Sequence, residues 1–582
     1  MVVDKRNAAY FCALQIFGFI IYGGVLRQKK FLFDDRRAIE ENLALRADLN
    51  PLYHLALYDF WGAPIRSETS THSWRPLVSL SFRLQKSNLF WMHFFNIFLH
   101  ATNAFLFERL SQKCLDTDFV PHIGGFLFLS YPVMSEAVYT LVGRADMLVA
   151  TILLVLLGQI ANEPQNEWLM LAAAVATIPI KETGLILFPL FLASQFLLHR
   201  QSAKSVQVPL APLAVFVVLA SCRIMLTRVN VAKFSQLDND LPSRVHALGL
   251  IFENVRQMVC PISLCHDWSK GTYSFSEWNC LGSCLIAILV GKLLLHGDKW
   301  TKTSILLSAF LYLPSSNLIS FVGFIRAERC LYPVSIGFLL FVLRITNEAM
   351  KKANLSKFSK KLLHLSWIVI FSAKAHIRGR AWLENELILS ETAAALGSVK
   401  STVNLALAYA DLGQLEKSEI LMRSALSRHQ SADMFYNFGS ILFEKNESAR
   451  AESSFQSCLR RKRSHPLCLL NLGVLNERSG EKDKALGFYE KCFTNSRRCR
   501  FNLGRIRFQE GNYNRSLEVL EYQSDARALV VDYNNHERAS YFSLLAINYL
   551  KLNQNDKAKW WLERALAEDP LHKTSLRLKN YL

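Results

Sequence analysis

Between residues 8 and 375 the sequence returns repeatedly to charge-poor apolar runs about as long as a bilayer is thick, and after residue 376 the pattern stops. A run of roughly 20 apolar residues crosses hydrocarbon as a helix, because a helix satisfies every backbone N–H and C=O within the segment. Reading for such windows predicts about eleven helices, near residues 8–26, 90–108, 120–140, 147–161, 167–180, 184–199, 207–226, 280–296, 303–323, 330–346 and 361–377. The first follows Lys5 and Arg6, ends in Val25-Leu26 and reads as an uncleaved signal anchor.

An odd number of spans puts the two termini on opposite sides. With a cytosolic N-terminus, the loops holding Arg200 and Lys204, Lys299 and Lys302, and Arg344 with Lys351, Lys352, Lys357, Lys360 and Lys361 face the cytosol, as basic loops do. The basic segment from Arg27 to Arg37 runs against this rule. The formal charge of +19 resides largely in such flanking clusters, which suit an anionic lipid surface. No nucleic-acid-binding motif is present, so nucleic acid is not an expected partner. This orientation gathers FDDRR (33–37), HSWRP (72–76), VGRAD (142–146), KETG (181–184) and RAER (326–329) on the lumenal side. Ionisable groups near a bilayer are costly unless they serve a cavity or a headgroup.

Residues 400–582 carry a different period. NLALAYADLG (404–413), NFGSILFEKN (437–446), NLGVLNERSG (471–480), NLGRIRFQEG (502–511) and SLLAINYLKLN (543–553) open five copies, mostly about 34 residues apart. Small residues recur at Ala406, Gly439, Gly473, Gly504 and Ala546, and again at Ser418, Ala451, Ala485, Ser516 and Ala558. That is the tetratricopeptide pattern of two antiparallel helices per repeat, each burying its apolar face against neighbours. The expected division is a membrane domain over 1–378, a linker helix over 379–399 and a repeat domain over 400–582. The twelve cysteines show no CxxC and fix neither a disulfide framework nor a compartment. Glycosylation sequons occur at Asn354, Asn446 and Asn514. Asn354 is expected on the cytosolic side and Asn446 at a turn between two helices.

FLFDDRRAIEEN (31–42), YDFWGAPI (58–65), HSWRPLVSLSFRL (72–84), FFNIFLHATNAFLF (94–107), SEAVYTLVGRADML (135–148), KETG and RAERCLYPVSIGF (326–338), followed by the repeats, resemble one family across nearly the whole chain. It is the transmembrane and tetratricopeptide repeat-containing O-mannosyltransferases that modify cadherins. The resemblance implies an all-α fold: a polytopic membrane helix bundle of the GT-C glycosyltransferase type, then a tetratricopeptide α-solenoid. It also implies residence in the endoplasmic reticulum membrane with the repeats lumenal. Dolichyl phosphate mannose is the implied donor, and Ser/Thr of cadherin-like extracellular domains the implied acceptor. No cofactor or metal is expected. The chain departs from the family pattern at Tyr131-Pro132 and Met134, where histidines are expected, so no catalytic role is assigned there.

Such a transfer needs a base for the acceptor hydroxyl and cations for the leaving phosphate. Asp34 and Asp35 are the expected catalytic carboxylates, with a solvated loop pair as the plain alternative. Arg144, Lys181, Arg326 and Arg329, with Arg75 behind them, are the expected phosphate-binding residues, and Glu136, Asp146, Glu182 and Glu328 their supports. Glu328–Arg329 reads equally as a structural ion pair. His72, His93 and His100 are expected to pack and show no metal spacing. The expected reaction is an inverting mannosyl transfer. The alternatives are a non-catalytic membrane scaffold that binds partners through its repeats, and a transporter. No inverted repeat favours the latter.

Overall fold

The computed structural model describes residues 5–46, 50–67, 70–115, 121–160, 172–190, 210–227, 241–269, 276–319, 322–522 and 535–581, apart from residues 87, 174, 187, 188, 242, 243, 385 and 495. Among the described residues the chain is helical throughout, with two isolated bridges, Tyr58 to Pro64 and Trp268 to Arg326, in place of any sheet. It divides into two compact units, Met1–Ser401 and Thr402–Leu582. The expected span 184–199 falls largely outside the described residues, and 167–180 does so in part.

Among the described residues of the first unit three helical stretches are long and apolar enough to cross a membrane: Lys5–Arg27, Glu277–His296 and Glu328–Lys352. Several other expected spans are helical but shorter or more polar, among them Leu89–Cys114, Leu210–Thr227 and Lys299–Tyr312. The amino-terminal helix lies against Leu89–Cys114, where a Cβ on Gly18 would touch Ala101 and Ile97. Expected span 120–140 is broken. Helix Ile123–Ser130 stops at Tyr131 because Pro132 follows, and the residue before a proline is pushed out of the helical region. A short helix, Ser135–Tyr139, follows, and the chain then bends by 119° into helix Arg144–Ile160. Gly143 makes the bend possible, since a Cβ there would collide with the carbonyl of Ala137. This bend brings the VGRAD motif back toward the Asp34-Asp35 loop.

The second unit is a stack of helix pairs: Leu415–Arg428 after Val399–Asp411, then Ala432–Glu444 with Ser448–Arg461, Pro466–Arg478 with Lys482–Cys492, Arg497–Gln509 with Tyr513–Glu521, and Asn535–Lys551 with Asn555–Glu568. The small positions are where helices of a pair approach most closely. A Cβ on Gly439 would stand 2.5 Å from Phe455, and one on Gly504 2.7 Å from Leu520. Where the second small position is serine, its hydroxyl spans the gap: Ser418 donates to the carbonyl of Ala406 at 2.6 Å and Ser516 to that of Gly504 at 2.8 Å.

Candidate active site

Asp34 and Asp35 are adjacent in sequence but differ in role. Asp35 is buried, and both its oxygens are occupied. Oδ2 accepts from the N–H of Leu141 and Oδ1 from that of Val142, each at 2.9 Å. It therefore ties its loop to the bend before Arg144. Burial pushes its carboxyl up to about 7 against the pull of those two donors. Asp34 turns the other way. Its side chain is 44% exposed, and Oδ2 accepts from Arg329 Nη1 at 2.9 Å. Burial raises Asp34, but Arg329 and Lys400 outweigh it and hold the carboxyl below the ordinary range.

Arg329 is shared. Its Nη1 lies 3.7 Å from Glu136 Oε1, and its backbone N–H donates to Glu136 Oε2 at 3.0 Å. Asp146 is close enough to act on Arg329 electrostatically, and Lys181 on Cys330. Lys181 Nζ pairs with Asp146 Oδ1 at 2.5 Å, both side chains buried. The next residue, Glu182, takes one guanidinium on each oxygen: Arg75 Nη2 at 3.0 Å and Arg223 Nη2 at 3.2 Å. Burial raises Glu182, but the two arginines prevail and hold it low. Two cations on one carboxylate leave a surplus positive charge, and Arg75 Nε is buried with no hydrogen-bond partner. Residues hundreds of positions apart are thus joined in one run of alternating charge, from Asp34 through Arg329 and Asp146 to Lys181.

Two expected phosphate ligands are placed otherwise. Arg144 is fully buried, and four of its N–H bonds go to protein acceptors: Nε to Asn96 Oδ1 at 2.9 Å, Nη1 to Ser81 and Gln85, and Nη2 to the Met92 carbonyl, each at 2.8 Å. Its guanidinium also lies over the rings of Phe82 and Phe95. A guanidinium engaged this way clamps helices together and has little left for a phosphate. Arg326 is buried against the Trp268 ring, 3.9 Å from its centroid, with Glu253 3.6 Å away. Its Nε and Nη1 make no hydrogen bond. Glu328, expected to support a cation, is enclosed. One oxygen accepts from Gln257, Cys265 N and Trp268 Nε1, and the other lies 3.8 Å from Arg378.

His100 bonds Tyr332 and the Leu129 carbonyl and His72 the Ile65 carbonyl, whereas His93 is wholly buried with neither ring nitrogen hydrogen-bonded. Tyr131 and Met134 are also fully buried, and the Tyr131 hydroxyl donates to the Met258 carbonyl. Among the described residues one trio has metal-ligand spacing, Cys458, His465 and Cys468, but the two cysteines are bonded to each other. A second disulfide joins Cys492 and Cys499.

A tetratricopeptide repeat profile matches residues 436–492. A protein O-mannosyl-transferase of Caenorhabditis elegans is 28% identical over 375 residues, covering 60% of this chain and 53% of the relative. Protein O-mannosyl-transferase Tmtc3 of Drosophila melanogaster is 26% identical over 545 residues, covering 78% and 58%. TMTC3 of Homo sapiens is 26% identical over 622 residues, covering 94% and 66%. The chain is thus similar to proteins named protein O-mannosyl-transferase in worm, fly and human. It spans a little over half the length of the first two.

Three participants escape a reading by motif. Arg223 carries its own signal, being the lone charged residue of the apolar run 207–226. His266 stacks on Phe33 at 4.6 Å, beside Asp34. Burial pushes its imidazole down to about 4, so it is neutral at physiological pH. Phe33 itself has φ of +45°, a strained value for a bulky residue, immediately before Asp34. No local pattern announces either feature. The inter-repeat cysteines did carry a signal, since each pair flanks the junction between consecutive repeats.

Proposed function

We propose that this chain is a protein O-mannosyltransferase that moves mannose from dolichyl phosphate mannose to Ser/Thr of cadherin-like extracellular domains in the lumen of the endoplasmic reticulum. Asp34 carries the reading. It is the accessible member of the acid pair, held ionised by Arg329 at 2.9 Å, while Asp35 is locked into the fold. A general base must first reach the proton it takes, and only then does its pKa matter. That favours Asp34 although Asp35 titrates nearer neutrality.

In the proposed reaction the acceptor oxygen attacks the anomeric carbon as its proton passes to Asp34. The bond from that carbon to the phosphate oxygen breaks on the opposite face, and the lipid phosphate leaves with the electron pair. The configuration inverts. In this reading Arg329, Lys181, Arg75 and Arg223 balance the developing phosphate charge, while Arg326 stays packed on Trp268; preorganised cations lower such a barrier. Glu136, Asp146 and Glu182 keep those cations in register, and Arg144 holds the helices that carry the site.

The two disulfides support a lumenal repeat unit, because such bonds persist in oxidising compartments. Transfer of labelled mannose from dolichyl phosphate mannose to a cadherin ectodomain by the reconstituted chain tests the proposal. Absence of transfer by a folded chain that does not bind the donor would instead identify a scaffold.

A further inference from the structure

The turn inside each repeat demands a left-handed residue. Gly413, Asn446, Gly480, Gly511 and Asn553 occupy that position with φ of +73°, +62°, +80°, +79° and +57°. Glycine reaches this region without strain, and asparagine is among the few other residues that tolerate it. Packing therefore explains Asn446 as an asparagine. It does not explain the serine two residues on. The matching positions in the other repeats are Leu415, Lys482, Tyr513 and Asn555, so no residue type is required there. Ser448 is exposed at the start of helix Ser448–Arg461, and its hydroxyl makes no hydrogen bond among the described residues.

The sequon at Asn514 is different. Its serine, Ser516, is buried and donates to the Gly504 carbonyl at 2.8 Å, filling the small position of its repeat just as Ser418 does. Repeat packing accounts for that triplet. Asn354 lies at the turn between Leu331–Lys352 and Lys357–Glu384, in the lysine-rich segment expected on the cytosolic side. Asn446-Glu447-Ser448 is thus the one sequon whose asparagine is exposed and whose hydroxyl residue has no structural task.

We propose that Asn446 is an N-glycan acceptor at the exposed edge of the second repeat. This inference rests on the lumenal placement of the repeats. In the reaction Asn446 Nδ2 bonds to the anomeric carbon of a lipid-diphosphate oligosaccharide, supplied by the lumenal oligosaccharyltransferase. The bond from that carbon to the diphosphate oxygen breaks, the lipid diphosphate leaves with the electron pair, and one amide proton is lost to a base of that enzyme. The glycan projects from a turn, where bulk is accommodated without entering the helix stack.

The test uses the full chain with an epitope tag, expressed in mammalian cells as the Asn354→Gln/Asn514→Gln variant, so that Asn446 is the remaining sequon. Peptide N-glycosidase digestion should lower its apparent mass by one glycan. Asn446→Gln and Ser448→Ala should abolish the shift, and Ser448→Thr should keep it. A control rebuilds the sequon at the matching turn of the next repeat with Gly480→Asn and Lys482→Thr in the Asn446→Gln chain. Glycan on the rebuilt site but none on Asn446 overturns the inference and leaves the lumenal reading standing. Glycan on neither overturns both. A glycosidase-sensitive shift in the otherwise wild-type chain that Asn354→Gln alone removes inverts the orientation and overturns both as well.

Discussion

Replacing each member of the acid pair by its amide separates their roles. Asp34→Asn removes an ion pair whose side chains are 44% and 24% exposed. Pairs of that exposure contribute about 0–1 kcal/mol, so the fold should hardly notice. Loss of a positioned base lowers the chemical step by about 10²–10⁴-fold. Asp35→Asn does the reverse. One carboxylate oxygen becomes an NH₂ that cannot accept, so either Leu141 or Val142 is left with a buried, unpaired N–H. That costs about 1–3 kcal/mol. The assay pairs thermal unfolding of the solubilised full chain with mannosyl transfer at saturating donor. Asp34→Asn should unfold near wild type yet barely transfer, and Asp35→Asn should unfold at lower temperature. Full transfer by a folded Asp34→Asn variant, or an Asp35→Asn variant that is dead at unchanged stability, would refute the assignment.

Arg144→Lys should destabilise the chain by several kcal/mol, because one ammonium cannot reproduce four forked hydrogen bonds and two ring contacts, and buried charge networks are costly to break. The loss should appear in thermal unfolding, whereas Arg329→Lys should appear chiefly in transfer rate. Asp34 lies below the ordinary carboxylate value of about 3.9, so its pairing stabilises the fold above that pH and is lost as pH falls through its folded value. Acid unfolding of Asp34→Asn should accordingly be less steep below pH ~4, and the acid limb of transfer should fall there too; a limb near 7 would transfer the base role to Asp35. Reduction of Cys458–Cys468 and Cys492–Cys499 should each remove about 2–3 kcal/mol from the repeat unit, seen as a lower unfolding temperature and four newly alkylated thiols by mass spectrometry. Gly473→Ala should cost about 1–3 kcal/mol in the same unit, since the new methyl meets the Tyr489 ring.

The repeats were legible because each is a local unit: a small residue, an apolar stripe and a left-handed turn recur at one period, and neighbours supply the rest of the core. The apolar runs were legible as helices for a similar reason, since hydrocarbon leaves the backbone few options. Local pattern had nothing to say about which charges meet. VGRAD and RAER look alike as charged clusters at span ends, yet Arg144 is bonded into the interior while Arg329 faces Asp34. Asp34 and Asp35 are chemically identical neighbours, and their division of labour depends on two N–H groups more than a hundred residues away. Arg75 and Arg223 meet only because both reach Glu182. The cysteine pairs likewise became bonds only once consecutive repeats stacked. Sequence sets the periodicities that short-range sterics and solvent enforce; long-range packing sets which donor finds which acceptor, because a side chain's partner depends on the path of the whole backbone.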